Sequence, residues 1–318
     1  MDQVNNPNQL RVPSSKPIRR RSASWFSSPP ALLLFPTVLI VGLLIVLPML
    51  LSLYASFTEY YLLRPESILK WVGFENYRVI LSDAKFWWAF LRTIIFLTLA
   101  LNLEMLVGLG LALLVNKALH GKQVLRTILM FPMTFSPILV GYMFKYMFND
   151  NIGVINNGLQ SLGIDAVIPW LIDEKLAFLS ILLAEMWMST SVFSILILAG
   201  LMAVPHEQLE AAAIDGSNPW QTFRHIILPH IQPFILIAMT IRSLDVARAY
   251  DIVQVMTGGG PAGRTELLWT LISRTGYVDS RMGEANAMGF IATITSILFT
   301  YYFYRQLSAA RNTLEGKT

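Results

Sequence analysis

The sequence predicts an all-α membrane protein with six transmembrane helices, and three observations carry that expectation. Hydrophobic residues make up 54% of the 318-residue chain and charged residues 14%, with a mean hydropathy of +0.54, which is too apolar for a soluble domain. Six windows of 18 or more residues with few charges fit membrane helices, at about 31–53, 90–115, 125–148, 177–203, 231–250 and 284–305. The segments between them hold no external domain of any size, so most of the chain reads as helical bundle. The chain contains no cysteine, which removes disulfides, thiolate catalysis and thiol metal sites together.

Residues 1–28 are Pro, Ser, Asn and Arg without apolar periodicity and read as a flexible basic cytoplasmic tail. Arg19-Arg20-Arg21 before an apolar run loosely resembles a twin-arginine export signal. The run is too long for a signal h-region and lacks a small-residue cleavage site, so it reads as a retained first span. The net charge of +4 and pI near 9.3 would suit nucleic acid, but the cations are distributed as membrane flanks. Twelve lie on one side of the spans, from Arg11 and the arginine triplet to Arg305, Arg311 and Lys317; eight, among them Arg64, Lys70 and Arg281, lie on the other. The bias places both termini in the cytoplasm, with 306–318 a second cytoplasmic tail, and argues against nucleic acid as a partner.

The first external loop, 54–89, is rich in aromatics, including Tyr54, Trp71, Phe74 and Trp88, as expected of an interfacial belt carrying one or two short helices. Pro132 and Pro137 remove backbone hydrogen bonds and kink span three, either as a packing feature or beside a cavity. The loop 149–176 reads as turns around a short helix. No internal repeat is visible.

Between spans four and five lies EAAAIDGSNPWQTFRHIILP, residues 210–229. Pro205 suits a first helical turn, and Gly216 can close a helix in the left-handed conformation. Asn218-Pro219 is a fresh N-cap and first position. The expected product is two short helices, the second stopping at Pro229, with a low-relief alanine face flanked by Glu210 and Asp215. Spacing alone also fits a solvated linker. Residues 258–265, GGGPAGRT, nearly spell a phosphate-binding loop. That motif needs a preceding buried strand and a following helix to aim its amides at phosphate; this run falls in an external loop, away from cytoplasmic ATP, and reads as a tight turn.

Ionisable residues inside a bilayer cost roughly 2.5–3.5 kcal/mol each at the span centre and normally face the bundle interior. Glu104 in span two, Glu185 in span four, and Arg242 and Asp245 in span five are such residues. Arg242 and Asp245, three apart on one helix face, either neutralise each other or line a path, with Glu185, Trp187 and Ser189 across from them.

The pattern EAA, three residues, Gly, nine residues, Ile-x-Leu-Pro is complete at 210–229, and it resembles the cytoplasmic loop of bacterial ABC importer permeases. The similarity extends over roughly 30–305 and takes in Gly153–Asn156, Trp170-Leu171, Ala199–Leu201 with Pro205, Tyr250-Asp251 and Thr257–Pro261. It looks most like the maltose-type F permeases of the carbohydrate branch, without their extra N-terminal spans and large external domain. The resemblance implies a type I importer permease fold, with a six-span permease domain over 29–305 and a coupling loop at 205–229. In that loop Glu210, Ala211, Ala212, Asp215, Gly216, Leu228 and Pro229 would dock into a separate ATPase. It also implies a second homologous permease, two ATPase subunits holding ATP and Mg, an extracytoplasmic solute-binding protein, a carbohydrate substrate, and a multi-pass place in a bacterial plasma (inner) membrane. The chain itself would hold no cofactor and catalyse no bond chemistry. Glu185, Trp187, Ser189, Arg242 and Asp245 would then lie along the substrate pathway, and a buried guanidinium at Arg242 would suit an anionic sugar. The rival reading is an ion-coupled secondary carrier using Glu104 or Asp245. An intramembrane enzyme is disfavoured, since the four histidines, His120, His206, His225 and His230, show no HExxH spacing.

Overall fold

The computed structural model describes residues 29–117, 121–164 and 167–314. The tail 1–28, His120 and 315–318 lie outside the described residues. Among those described, every regular element is helical, and β-pairing is confined to isolated bridges. Five helices are long and apolar enough to cross a membrane, and a bent pair makes up to six spans. In chain order the helices, spans and shorter elements together, are α1 (Leu34–Ser56), α2 (Glu75–Ser82), α3 (Ala84–Lys117), the bent pair α4 (Lys122–Met130) and α5 (Pro137–Met147), and α6 (Val154–Ser161). They are followed by α7 (Glu174–Met202), α8 (His206–Ile214), α9 (Pro219–Val246), α10 (Asp251–Met256), α11 (Leu268–Ser273) and α12 (Met282–Leu314).

The chain forms two units, Met1–Leu51 and Ser52–Thr318. The described part of the first is helical, with a five-residue wide turn at Gly42–Val46, and its apolar side chains are exposed, Leu44 by 72%. Such a surface suits lipid, where exposed leucines carry no penalty.

In the second unit α3 packs along α7, and α9 lies against both α7 and α12. The core between them includes Phe96, Leu101, Phe193, Ile197 and Ile231. Close approach depends on small residues at the crossings. A Cβ on Gly108 would stand 2.5 Å from that of Phe193, and one on Gly200 would stand 2.7 Å from the Phe234 ring. The loop 54–89 is ordered: Phe57 stacks on Trp71 at 5.4 Å and meets Phe74 edge-on, while Asn76 Nδ2 donates to the carbonyls of Ser56 and Thr58 at 2.8 Å. It carries a 3₁₀ turn at Pro65–Leu69 as well as α2, in line with the one or two short helices expected. In the next loop, Trp170 Nε1 donates to Asn156 Oδ1 at 2.9 Å, joining two motifs that the sequence keeps apart.

Two elements depart from the sequence reading. Span three is broken and not merely kinked: α4 and α5 meet at 95°. Pro132 opens a 3₁₀ turn, and Ser136, ahead of Pro137, is extended at φ −67°, ψ 140°, as the proline ring demands of its predecessor. Span five begins at Pro219 and not near 231, because Pro229 does not end its helix. A wide turn at Phe223–Ile227 carries the Leu228 N–H to the Phe223 carbonyl, five residues back. That spacing relieves the clash between a proline ring and the carbonyl four residues earlier.

The Gly108–Phe193 contact makes a testable demand. Gly108→Ala should destabilise the purified protein by about 1–3 kcal/mol through overpacking. Gly110→Ala, where a Cβ meets nothing within 4 Å, should leave thermal unfolding in detergent unchanged.

Candidate functional site

The interior charges are gathered around one guanidinium. Arg242 on α9 is 5% exposed; its Nε donates to Glu104 Oε2 at 3.0 Å and its Nη2 to Glu104 Oε1 at 3.1 Å, a two-pronged pair with α3. The same Nη2 donates to Glu185 Oε1 on α7 at 2.7 Å, and Nη1 reaches Asp245 Oδ2 at 3.4 Å. Ser189, one turn along α7, donates to Glu185 Oε1 at 3.2 Å. Glu104 is fully buried. A carboxylate in that position needs a hydrogen-bonded opposite charge, and the planar Arg fork supplies it with matched geometry. Of the two structural readings left open by the sequence, mutual neutralisation of Arg242 and Asp245 accounts for only the longest of these contacts; Glu104 and Glu185 are the principal partners.

A cavity of about 730 Å³ opens beside this cluster, lined by Glu185, Ser189, Arg242 and Asp245, as well as Tyr250 and Trp269. The break between α4 and α5 contributes Phe135 and Pro137 to its wall. Irregular backbone at membrane depth is tolerated where it lines a cavity, so the prolines serve the cavity reading. Trp187, expected across from Arg242, does not line this space. It packs against Phe144 and Phe135 at ring distances of 5.7 and 6.1 Å. The aromatic faces that the cavity does use, Tyr250 and Trp269, follow α9 in the chain, and no spacing rule in the sequence points to them.

The loop 205–229 is built from identifiable caps. Ser217 N–H donates to Ala212 O at 2.9 Å and Gly216 N–H to Ala213 O at 3.2 Å, closing α8 in a Schellman turn with Gly216 at φ +74°. Asn218 then starts α9 through a capping box with Gln221. Glu210, Ala211, Asp215, Gly216 and Pro229 are exposed, Leu228 is half-buried, and Ala212 is buried on the inner side. Sequence reasoning missed two bulky members of this surface, Ile214 (86% exposed) and Trp220 (65% exposed). Beside them an apolar groove of about 630 Å³ runs between Leu113 and Leu114 of α3 and Leu209, Trp220 and Phe223 of the loop.

The glycine run after α10 forms a turn, with Gly258, Gly259 and Gly263 at positive φ. Thr265 closes it by donating to the Gly260 carbonyl and pairing with Thr257 Oγ1. No strand precedes it, as its reading as a turn requires.

A helical bundle of up to six spans, with a charged interior cavity and an exposed capped helix–turn outside it, is the architecture of a transport permease. The chain belongs to the family of binding-protein-dependent transport system inner membrane components, which matches residues 104–312. It is 32% identical over 274 residues to the trehalose/maltose transport system permease protein MalF of Thermococcus litoralis, spanning 86% of this chain and 92% of that one. It is 31% identical to the sulfoquinovosyl glycerol transport system permease protein SmoG of Agrobacterium fabrum, over 86% of this chain and 88% of the relative. The fold matches the crystal structure of a bacterial ABC transporter involved in the import of the acidic polysaccharide alginate. The TM-score is 0.76 at 22% identity, covering 87% of this chain and 94% of that one. This is the ABC importer permease fold, in a multi-pass membrane protein, and family membership decides against the secondary carrier.

The charge cluster predicts unequal outcomes for its members. Arg242→Ala strands two buried carboxylates and should lower stability by about 3–5 kcal/mol. Glu104→Gln leaves the guanidinium paired with Glu185 and should lower it less. Thermal melts of the detergent-purified protein compare the two.

Proposed function

We propose that this chain is a translocation subunit of an ATP-driven carbohydrate importer in a bacterial plasma (inner) membrane, working with a second homologous permease. Two separate ATPase subunits bind ATP and Mg, and an extracytoplasmic solute-binding protein delivers the substrate. The chain performs no bond chemistry and needs no cofactor of its own. Both termini lie in the cytoplasm, on the same side as the loop 205–229.

The observation that carries this reading is the intact signature at 210–229, folded as an exposed knob and continuous with the helix that lines the cavity. α9 starts in the knob at Pro219 and bears Arg242 and Asp245 near its far end. At 1.5 Å per residue the separation from Pro219 to Arg242 is about 35 Å. Docking of Glu210, Ala211, Asp215 and Gly216 into an ATPase cleft therefore acts on one continuous helix, whose other end bounds the substrate path at Glu185, Ser189, Arg242 and Asp245; Ala212, buried on the inner side, packs the knob and does not itself dock. Leu228 and Pro229 lie within that helix and act through its alignment. The exposed Ile214 and Trp220 add apolar contact to the same surface. The carbohydrate assignment is supported by the sugar-transport names of MalF and SmoG.

Charge and shape at the knob supply the test. Glu210→Lys and Gly216→Arg should each reduce substrate-stimulated ATP hydrolysis by the assembled importer at least about tenfold, the equivalent of about 1.4 kcal/mol of docking energy. The amount of inserted chain should stay unchanged. Full stimulated hydrolysis in both variants would refute the docking role.

A further inference from the structure

α3 reaches from one membrane surface to the other. Lys117 ends it beside the knob, and Lys85 opens its first turn. The two are about 48 Å apart at 1.5 Å per residue, against roughly 40–45 Å for a bilayer with its headgroups. Lys85 therefore stands at headgroup level in the leaflet opposite the knob, where the exposed Trp87 and Trp88 mark the interface. A second cavity, of about 350 Å³, opens there between the start of α3 and the segment 262–288. Four cations and four carboxylates line it. Arg274 Nη1 lies 2.8 Å from Oε1 of the buried Glu266, and Arg281 pairs with Glu284 at 2.7 Å and Asp279 at 3.3 Å. Asp83, Lys85 and Arg92 have no ion-pair partner among the described residues. Asp83 Oδ1 accepts the Lys85 N–H at 2.8 Å, and half-buried Arg92 donates Nη1 to the Glu266 carbonyl at 3.3 Å. The Lys85 Nζ and the Trp88 Nε1 donate to nothing among the described residues. Lys85, Trp88 and Arg92, three and four residues apart, share one helix face, and a half-buried guanidinium without a carboxylate is costly unless an anion meets it.

We propose that this cavity binds the headgroup of a phosphatidylethanolamine lipid, with the phosphate among Arg92, Trp88 and Lys85 and the ammonium at Asp83. The inference goes beyond the transport reading and does not depend on the substrate. The wall presents its unpaired charges in the order that such a lipid carries them. Arg92 lies about 10 Å further along α3 than Lys85, towards the membrane interior, and the lipid phosphate is the charge nearest the acyl chains. Asp83, just ahead of α3, stands where the free end of the headgroup emerges. Below Trp88 the exposed Leu91, Ile95 and Leu99 continue along the same side of α3 and offer an acyl chain an apolar track. Phosphate accepts charge-assisted hydrogen bonds from Arg and Lys, and the indole N–H adds a third donor. The two ends of the site select against other lipids. A purely anionic headgroup leaves Asp83 without a cation, and a trimethylated ammonium has no N–H to donate to it. A lipid seated here ties the first turns of α3 to Glu266 and Arg274 across the cavity.

The test titrates the detergent-purified full-length protein with dioleoyl-phosphatidylethanolamine, -phosphatidylcholine and -phosphatidylglycerol, and counts bound lipid by native mass spectrometry. One phosphatidylethanolamine should bind at least about tenfold more tightly than either other lipid, the scale of one hydrogen bond to a charged group. Arg92→Gln should weaken it by about the same factor and Lys85→Gln several-fold. Asp83→Asn keeps a residue suited to helix capping and should abolish the preference for phosphatidylethanolamine over phosphatidylcholine. Lys175→Gln, which removes an exposed cation outside the cavity wall, should change nothing. Lys85 and Asp83 are exposed, so their variants report on the site even where Arg92→Gln fails to fold. Equal affinity for the three lipids overturns the inference, as does tighter binding of phosphatidylglycerol or a preference that no cavity variant alters. Soluble glycerophosphoethanolamine that binds as tightly as the lipid would make this a site for a free phosphoester and overturn the lipid assignment.

Discussion

Arg242 is the constraint around which the bundle is arranged. A guanidinium 5% exposed inside an apolar bundle is stable only where carboxylates meet it in good geometry. Its partners come from three helices, Glu104 on α3, Glu185 on α7 and Asp245 on α9 itself. Two-pronged pairing with Glu104 fixes the rotation of α3 against α9, and the shared Nη2 fixes α7 against both. The glycines at 108 and 200 then allow the helix backbones to come close enough for the side chains to reach.

The same helix that carries the clamp also begins in the exposed loop. α9 is uninterrupted from Pro219 to Val246 despite Pro229 and Pro233, since a wide turn absorbs the first of these prolines. Under the proposed function, force applied at the knob reaches the cavity wall along this one continuous helix. The bent pair α4–α5 has the opposite character. Its two halves meet at 95° and contribute Met133, Phe135 and Pro137 to the cavity wall. A rod and a broken helix facing one another across a polar space allow one wall to move relative to the other.

Much of this was legible in the sequence, for physical reasons that can be named. Spans of 20 or more apolar residues have few alternative structures, so the helical bundle followed from composition. The caps at Gly216 and Asn218 depend on local backbone chemistry, and each sits where its residue type requires; Pro205 stands just ahead of the first turn read for it, extended, with the helix starting at His206. Glu104, Glu185, Arg242 and Asp245 stood out because buried charge is expensive, but their pairing joins residues 138 and 57 apart in sequence, beyond the reach of local spacing. Proline at 132 and 137 was read as a kink where the span is in fact broken at 95°, and at 229 as a stop where the helix runs on, because a wide turn accommodates the ring and single-residue rules do not anticipate it. Trp187 was assigned to the path from its neighbours Glu185 and Ser189. On a helix residues two apart face different directions, and the same rule explains why Glu185 and Ser189, four apart, share the cavity while Trp187 packs elsewhere.

The central claim is that the Arg242 cluster holds α3, α7 and α9 as one body while the importer works. The chain contains no cysteine, so a spin-label pair can be introduced by Leu106→Cys and Ile241→Cys. Both positions are exposed and adjoin the cluster on α3 and α9. The distance between the labels should be measured by pulsed electron paramagnetic resonance in the reconstituted importer, first without nucleotide and then with ATP trapped. The account predicts the same distance in both states. A change on the scale of one helical turn, about 5.4 Å, would mean that α3 and α9 part company during the cycle and would contradict it.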